Sequence, residues 1–167
     1  MKGNILFVGL DYEFTKSVAR ELSNVFDMFF LDVNDLIEYS LIDVKNVKDV
    51  CGIEYLEKEK KRVALSVSHY ENTVINFPYS VFIEKGMSEE LSKSTLTIFL
   101  NLNKQELTKL NDKNDNSLSI ELITFKELST HLERKVDISV KCNSIKVENW
   151  IESVVGAIEN YNRDLQW

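Results

Sequence analysis

Two residues near the start of the chain, Gly9 and Lys16, have the types and approximate spacing of a phosphate-binding loop. A working G-x-x-x-x-G-K-[ST] loop needs a second glycine so that backbone N–H groups can surround the phosphates, a lysine directly after it, and a hydroxyl for magnesium. Counted from Gly9, those three positions hold Phe14, Thr15 and Lys16. The chain therefore has the layout of such a loop without the residues that bind phosphate.

The side chains inside this stretch oppose a nucleotide rather than attract one. Asp11 and Glu13 bring negative charge, and Phe14 brings bulk, to the place where phosphates would lie. Lys16 is one position beyond the usual lysine, so a shifted loop would bring Lys16 and Gly9 to a phosphate. The ordinary alternative is a solvated lysine in the first turn of a helix. The direction of Phe14, into the loop cavity or out of it, distinguishes a chain that has lost phosphate chemistry from one that still carries it out.

Asp32, which follows a second short apolar run, is the next candidate for chemistry. A carboxylate at the end of a strand is well placed for magnesium, which prefers oxygen ligands. Aspartate is also a favoured N-cap of helices, and the cap is the more common role. The histidines and cysteines, at positions 51, 69, 131 and 142, do not have the spacing of a metal site.

Composition limits the classes of protein that fit. The chain has 167 residues, of which 44% are apolar and 28% charged, enough for one sizeable core and a single domain over residues 1–167. A formal net charge of -7 disfavours nonspecific binding to nucleic acid or to an anionic membrane. The short apolar run after Lys2 is too brief for a secretory signal or a membrane span. A cytoplasmic protein is predicted.

Strands and helices must alternate to position these candidate residues. Apolar runs predict strands at residues 4–8, 28–31, 73–76, 95–100 and 136–140. Helical spacing predicts helices at 15–26, 34–39, 53–68, 104–110, 125–134 and 147–161, and the polar run 111–117 predicts a loop. Such strand-helix units predict an α/β fold, a three-layer sandwich with a mostly parallel five-stranded sheet.

The order of these segments resembles that of the shikimate kinases, small P-loop kinases of the nucleoside-monophosphate-kinase type, over nearly the whole chain. The segments that carry the resemblance are residues 4–9, 17–22, 30–38, 55–59, 136–140 and 148–152. They are similar, in turn, to the family's first strand and loop, the helix behind the loop, its Asp-x-Asp segment, its Phe-Arg-x-x-Glu helix, its last strand and its last helix.

The resemblance implies roles for individual residues. Asp32 stands at the family's first aspartate, which lies near magnesium, and Asn34 at the second, which holds substrate hydroxyls. Asn34 keeps the hydrogen-bonding capacity and lacks the charge. Leu56 stands where an arginine binds the substrate carboxylate, and leucine cannot form that bidentate pair. Residues 76–79, where the family has three glycines, contain none.

The same comparison finds little positive charge for catalysis. The family's lid supplies arginine to the transferred phosphate, and the matching residues 110–118 contain only Lys113. None of the four arginines, at positions 20, 62, 134 and 163, stands at a family catalytic position. Phosphoryl transfer depends on positioning and on positive charge around the phosphate. The resemblance therefore predicts a degenerate, catalytically impaired relative with a binding or regulatory role, for a protein partner or a small molecule.

Two alternatives stay open. The first is a divergent shikimate kinase or other ATP-dependent small-molecule kinase, with Gly9 and Lys16 at ATP and Asp32 at magnesium; only this alternative implies Mg-ATP as a cofactor. The second is a shikimate-like or aromatic ligand bound behind Phe77 and Tyr79 without chemistry. A dinucleotide-binding unit and a receiver-like domain fit less well, because the first lacks its later glycines and the second its later strand-end residues.

Overall fold

The computed structural model describes residues 3–113 and 122–164. Its sheet has five parallel strands in the described part of the chain, in the order β2-β3-β1-β4-β5. The strands are β1 (Asn4–Gly9), β2 (Phe29–Asp32), β3 (Thr73–Asn76), β4 (Thr95–Leu102) and β5 (Ile138–Cys142). The predicted α/β fold and its parallel sheet are confirmed.

Helices connect these strands and cover both faces of the sheet. They are α1 (Tyr12–Val25), α2 (Val33–Leu41), α3 (Val44–Cys51), α4 (Ile53–Leu65), α5 (Tyr79–Phe82), α6 (Met87–Leu91), α7 (Lys104–Lys113), α8 (Leu122–Glu133) and α9 (Val147–Asp164). A 3-10 turn, Ser66–His69, follows α4. No helix in residues 3–113 or 122–164 has the length and apolar character needed to cross a bilayer.

Two hydrophobic clusters hold the three layers together. Phe7 of β1 belongs to the cluster shared with Val18 of α1 and Trp150 of α9, whereas its neighbour Leu6 belongs to the cluster shared with Val33 of α2. Successive strand residues point to opposite faces, so one strand feeds both clusters. Helix α1 packs in the first of these clusters and α2 in the second, so the two helices lie on opposite faces of the sheet.

Three predictions of local structure were wrong. Helix α1 begins at Tyr12, not at Thr15. Helices α3, α5 and α6 were not predicted. Residues 111–113 extend α7, whereas the rest of the predicted loop, residues 114–117, lies outside the described residues. The first difference matters most, because it changes the segment where phosphate would bind.

Candidate functional site

The carboxyl ends of β1, β2 and β3 meet at one edge of the sheet, beneath the start of α1. Strand β3 lies between the other two, with Asn76 in register with Asp32 of β2 and with Phe7 of β1. In open α/β sheets, ligands bind outside the carboxyl ends of the strands, where the order of connections reverses. The first connection of this chain therefore lies where a nucleotide site is expected.

Only Leu10 and Asp11 separate β1 from α1. The Asp11 side chain caps the helix, accepting a hydrogen bond from the Phe14 backbone N–H at 2.8 Å. Its backbone carbonyl accepts from the Thr15 N–H at 3.1 Å and from the Thr15 hydroxyl at 2.7 Å. A helix N-terminus is a ready anion site, and in this helix the anion is the protein's own carboxylate.

Gly9 allows the helix to lie close to the strand. A Cβ atom added at Gly9 would come within 2.2 Å of Thr15 Oγ1, and Thr15 is buried. The space beside Gly9 is thus filled by the first turn of α1. Binding of a nucleotide by Gly9 and Lys16 stays a prediction.

Phe14 packs into the core between α1 and α9. Its side chain is 8% exposed, and its ring meets Trp150 edge to face, with centroids 5.8 Å apart. The indole Nε1 of Trp150 donates to the backbone carbonyl of Ser144 at 2.7 Å, which fixes the ring. Phe14 therefore anchors the first turn of α1 and does not project into a loop.

Asp32 is the centre of a buried polar cluster. Its Oδ1 accepts from the Tyr12 hydroxyl at 2.9 Å and from the Asp35 backbone N–H at 3.0 Å, so that Asp32 is the N-cap of α2. Its Oδ2 accepts from Asn76 Nδ2 at 2.9 Å and lies 3.4 Å from Lys16 Nζ. Both oxygens are engaged by the protein, and the Asp32 side chain is 1% exposed.

Lys16 and Asn34 lie at the outer side of this cluster. Lys16 Nζ also pairs with Asp35 at 3.2 Å, so two carboxylates neutralise its charge. Asn34 is exposed, and its backbone N–H donates to the Tyr12 hydroxyl at 3.2 Å. The predicted site residues Lys16, Asp32 and Asn34 are therefore brought together around Tyr12. Gly9 lies at the other side of the first turn of α1.

The pKa values of Tyr12 and Lys16 are raised, which favours their protonated forms. Burial raises the pKa of Tyr12 well above its ordinary value; the Asn34 N–H opposes this, and the charge of Asp32 reinforces it. Burial lowers the pKa of Lys16, but the hydrogen bond to Asp35 and the charges of Asp32 and Asp35 outweigh it and raise that pKa overall. Near neutral pH Tyr12 therefore donates a hydrogen bond to Asp32, and Lys16 pairs with Asp32 as a cation.

Tyr12 should make the fold sensitive to alkaline pH. Its folded pKa is raised, so its contribution is complete below the unfolded value of about 10 and declines as pH rises further. Lys16 acts with the same sign. We expect Tyr12→Phe to lower the free energy of unfolding at pH 7 by about 1–2 kcal/mol and to flatten its fall above pH 10. Urea unfolding from pH 7 to 11 measures this; an unchanged alkaline slope would contradict it.

One buried acceptor in the cluster has no partner. Asn76 is fully buried, and its Nδ2 donates to Asp32 while its Oδ1 has no hydrogen-bond partner among the described residues. Buried polar atoms are rarely left unpaired, since desolvation then costs about 1–3 kcal/mol. Asn76 Oδ1 can consequently accept a hydrogen bond from a further group.

A groove of about 670 Å³ begins beside Asn34. Its charged lining residues are Glu38, Asp43, Glu57 and Lys60, and Lys60 pairs with Glu57 at 3.0 Å. The groove therefore carries more negative than positive charge. Leu56, at the position of the family's substrate arginine, is buried and supplies no charge to it.

The aromatic residues near this groove belong to the core. Phe77 and Phe82 are fully buried and meet edge to face at 6.1 Å, and Tyr79 packs against the same cluster. Binding of a shikimate-like or aromatic ligand behind Phe77 and Tyr79 stays a prediction. Arg20, on the other face of the molecule, stacks over Phe30 at 5.1 Å.

Metal binding has one candidate residue. Residues 3–113 and 122–164 contain no group of three or more histidine, cysteine, aspartate or glutamate side chains that could hold a metal ion. Asp32 as a magnesium ligand stays a prediction, and an ion would have to displace Tyr12, Asn76 or Lys16 from its oxygens. The matching lid segment, residues 110–118, lies mostly outside the described residues.

The structure adds three residues that the sequence did not single out for the site. Tyr12, Asp35 and Asn76 all contact Asp32. Asp35 has a sequence signal, because an N-cap carboxylate binds the N–H three residues later. Asn76 has none without the strand order, which places β3 beside β2.

In sequence, the chain is similar to shikimate kinases. Two shikimate kinases of Clostridium botulinum, from strains Loch Maree and Kyoto, are each 22% identical to it over 166 residues, covering 96% of either chain. No known family model matches the chain. The resemblance stated from the sequence is confirmed by these relatives.

Solved structures give the same result for the fold. Shikimate kinase from Aquifex aeolicus superimposes with a TM-score of 0.74 at 19% identity, covering 93% of this chain and 96% of that one. Shikimate kinase from Acinetobacter baumannii, solved in complex with shikimate, gives 0.75 at 14% identity, covering 95% and 93%. A gluconokinase from Sinorhizobium meliloti gives 0.64 at 13% identity, covering 99% and 96%. The chain is similar in fold to P-loop small-molecule kinases.

Proposed function

We propose that this protein is a shikimate-kinase-like protein that does not catalyse phosphoryl transfer. It binds a protein partner or a small molecule instead, in an assembly or regulatory role. Its relation to small-molecule kinases rests on sequence and fold. The loss of catalysis is our inference from the first connection of the sheet. A cytoplasmic location and a single domain over residues 1–167 are part of the same proposal.

The capped start of α1 is the observation that carries the proposal. A phosphate loop wraps its ligand with free backbone N–H groups, and the Phe14 N–H is bound to Asp11 while the Thr15 N–H is bound to the Asp11 carbonyl. The position of the loop lysine holds Thr15, whose hydroxyl is also bound. A triphosphate would have to break these hydrogen bonds and enter beside the carboxylate of Asp11.

A divergent kinase is the second candidate. Lys16 Nζ lies 3.4 Å from Asp32 Oδ2 at the carboxyl ends of the strands. The kinase alternative requires this placement. In this alternative Lys16 leaves Asp32 and Asp35 for the phosphates, and magnesium takes its place at Asp32. Similarity to shikimate kinases over 96% of the chain favours it, and Asp11 opposes it.

Thermal unfolding with Mg-ATP and Mg-ADP tests the two candidates. A ligand that binds the native state at one hundred times its dissociation constant stabilises it by about 2.7 kcal/mol, so specific binding must raise the midpoint. We expect no shift at millimolar Mg-ATP. A shift that Lys16→Met removes, and that Lys60→Met retains, would show that Lys16 binds the nucleotide, and phosphorylation of shikimate in a following assay would then establish the divergent kinase.

Shikimate itself provides a separate arm of this test. The groove beside Asn34 has no arginine among its lining residues and has more acidic than basic side chains, so a carboxylate ligand meets repulsion there. We expect no stabilisation by shikimate, whether or not Mg-ATP is present. The Acinetobacter baumannii enzyme, which was solved with shikimate, is the positive control.

A further inference from the structure

The groove beside Asn34 combines apolar walls with acidic side chains. Its volume of about 670 Å³ lies within the range of about 300–1,000 Å³ that is usual for small-molecule sites. Asn34 and Pro78, which both line it, closely follow the carboxyl ends of β2 and β3, where α/β sheets bind ligands. Its apolar lining residues are Ile37, Ile42, Val44, Pro78 and Val81. The groove therefore offers apolar contact to the body of an organic molecule.

Two carboxylates in this groove have no cationic partner. The charged lining residues are Glu38, Asp43, Glu57 and Lys60, and Lys60 pairs with Glu57 at 3.0 Å. Neither Glu38 nor Asp43 forms an ion pair with any described residue. Asp43 Oδ1 accepts a hydrogen bond from the Asn46 N–H as the N-cap of α3, which leaves its charge unneutralised. The lining of the groove thus keeps two negative charges.

The charged residues around the groove do not reverse its sign. Lys61 pairs with Glu84 and Arg62 with Glu59. The charged residues of α3 and α4 that form no ion pair and do not line the groove are Lys45, Lys48, Asp49, Glu54 and Lys58. Over residues 33–65, acidic side chains outnumber basic ones by seven to six. The whole chain has a net charge of -7, so the wider field also favours a cation.

We propose that this groove binds an aliphatic diamine, with its ammonium groups at Glu38 and Asp43 and its alkyl chain against the apolar walls. An inorganic cation is not favoured, because no group of three or more acidic, histidine or cysteine side chains in the described ranges could hold one. An anionic ligand meets repulsion from the same carboxylates. The inference rests on the proposed binding role and names the class of ligand for it.

The exposure of the two carboxylates limits the expected affinity. Glu38 and Asp43 are both exposed, and ion pairs in contact with water are weak and are screened by salt. We therefore expect a dissociation constant on the order of 1 mM for the diamine cadaverine at low ionic strength. Binding should weaken as salt is added.

NMR titration of the full-length, isotope-labelled protein with cadaverine tests the proposal. We expect saturable shifts confined to backbone amides along the groove, at Asn34, Glu38, Asp43 and Val81. Pentanediol has the same chain length and no charge, so it should bind at least about threefold more weakly. The same spectra show whether each variant is folded.

Removing the two charges while keeping their structural roles tests the recognition itself. Glutamine is also a good helix former and asparagine is also a good N-cap, so the double variant Glu38→Gln with Asp43→Asn should stay folded. It should bind cadaverine at least about threefold more weakly. The matched control, Glu127→Gln with Glu159→Gln, removes two exposed charges from α8 and α9, outside the groove. It should leave the dissociation constant within about twofold.

Lys60→Met should have the opposite effect. It frees Glu57 from its ion pair and so adds a third unneutralised carboxylate to the groove. Cadaverine should then bind about two- to fivefold more tightly. The proposal would be overturned by a lack of saturable binding, by shifts outside the groove, or by equal binding of pentanediol. Unchanged affinity in the double variant or in Lys60→Met would overturn it as well.

This test and the test with Mg-ATP fail separately. If neither cadaverine nor Mg-ATP binds, the diamine is wrong and the proposed loss of catalysis stands. If cadaverine binds in the groove and Mg-ATP produces a shift that Lys16→Met removes, the diamine stands and the proposed loss of catalysis loses its support.

Discussion

Phe14→Gly is expected to destabilise the fold by about 4–5 kcal/mol. Truncating a buried phenylalanine costs about 3–5 kcal/mol, and glycine in a helix costs up to about 1 kcal/mol more. Phe14 lies against Trp150 in the core, so the loss falls where α1 meets α9. Domains of this size have a total stability of about 5–15 kcal/mol. Urea unfolding monitored by circular dichroism measures the change.

Glu13→Gly and Phe14→Leu are the controls for this substitution. Glu13 is exposed in the same helical turn, so its replacement isolates the backbone term and should cost about 1 kcal/mol or less. Phe14→Leu keeps most of the apolar volume and should cost about 1–2 kcal/mol. If Phe14→Gly cost no more than Glu13→Gly, Phe14 would not be a core residue. Phe14→Gly places a glycine where the phosphate-loop pattern has its second glycine, yet we expect no nucleotide binding from this substitution alone.

Asp32→Ala is expected to cost about 3 kcal/mol. It removes the N-cap of α2, worth about 1 kcal/mol, and strips a buried carboxylate from Tyr12, Asn76 and Lys16. Removing one partner of a buried ion pair costs about 3–5 kcal/mol. The expected cost is at the low end of this range because Lys16 is partly solvated. Chemical unfolding in the presence and absence of magnesium measures both the loss and any role of the metal.

Asp32→Asn should be much milder than Asp32→Ala. An amide still caps α2 and still accepts from Tyr12, and its new N–H group can meet the unpartnered Oδ1 of Asn76 after that side chain rotates. Less than half of the alanine effect is expected. Equal losses of stability for Asp32→Ala and Asp32→Asn would contradict the proposal that Asn76 Oδ1 accepts a hydrogen bond from the new amide.

Asp35→Ala, which removes an exposed partner of Lys16, should cost under about 1 kcal/mol.

The strands were predictable because burial on both faces leaves a clear apolar run. The five predicted strands match β1 to β5 within one or two residues. The order of the strands in the sheet could not be predicted from the local sequence, because it depends on which face of the sheet each helix covers. The prediction therefore included Asp32 but not Asn76, its neighbour on β3. Helix α3 was missed for the opposite reason, since it buries no residue and alternates valine with charge.

The start of α1 is the prediction whose failure is most instructive. Asp11 was interpreted as negative charge in a loop, and in the structure it is the N-cap of a helix with Glu13 in its first turn. Aspartate at the cap and an acidic residue just after it are ordinary signals of a helix start. They were outweighed by the spacing of Gly9 and Lys16, which suggested a longer loop.

Amide hydrogen exchange at Phe14 and Thr15, followed by NMR, tests the closed start of α1 most directly. Both N–H groups are bound to Asp11, so we predict protected amides whose exchange does not change with Mg-ATP. Asp11→Ala should speed exchange at Phe14, as loss of the cap requires. Rapid exchange at both amides that Mg-ATP then slows would reveal a working phosphate loop and contradict the proposed loss of catalysis.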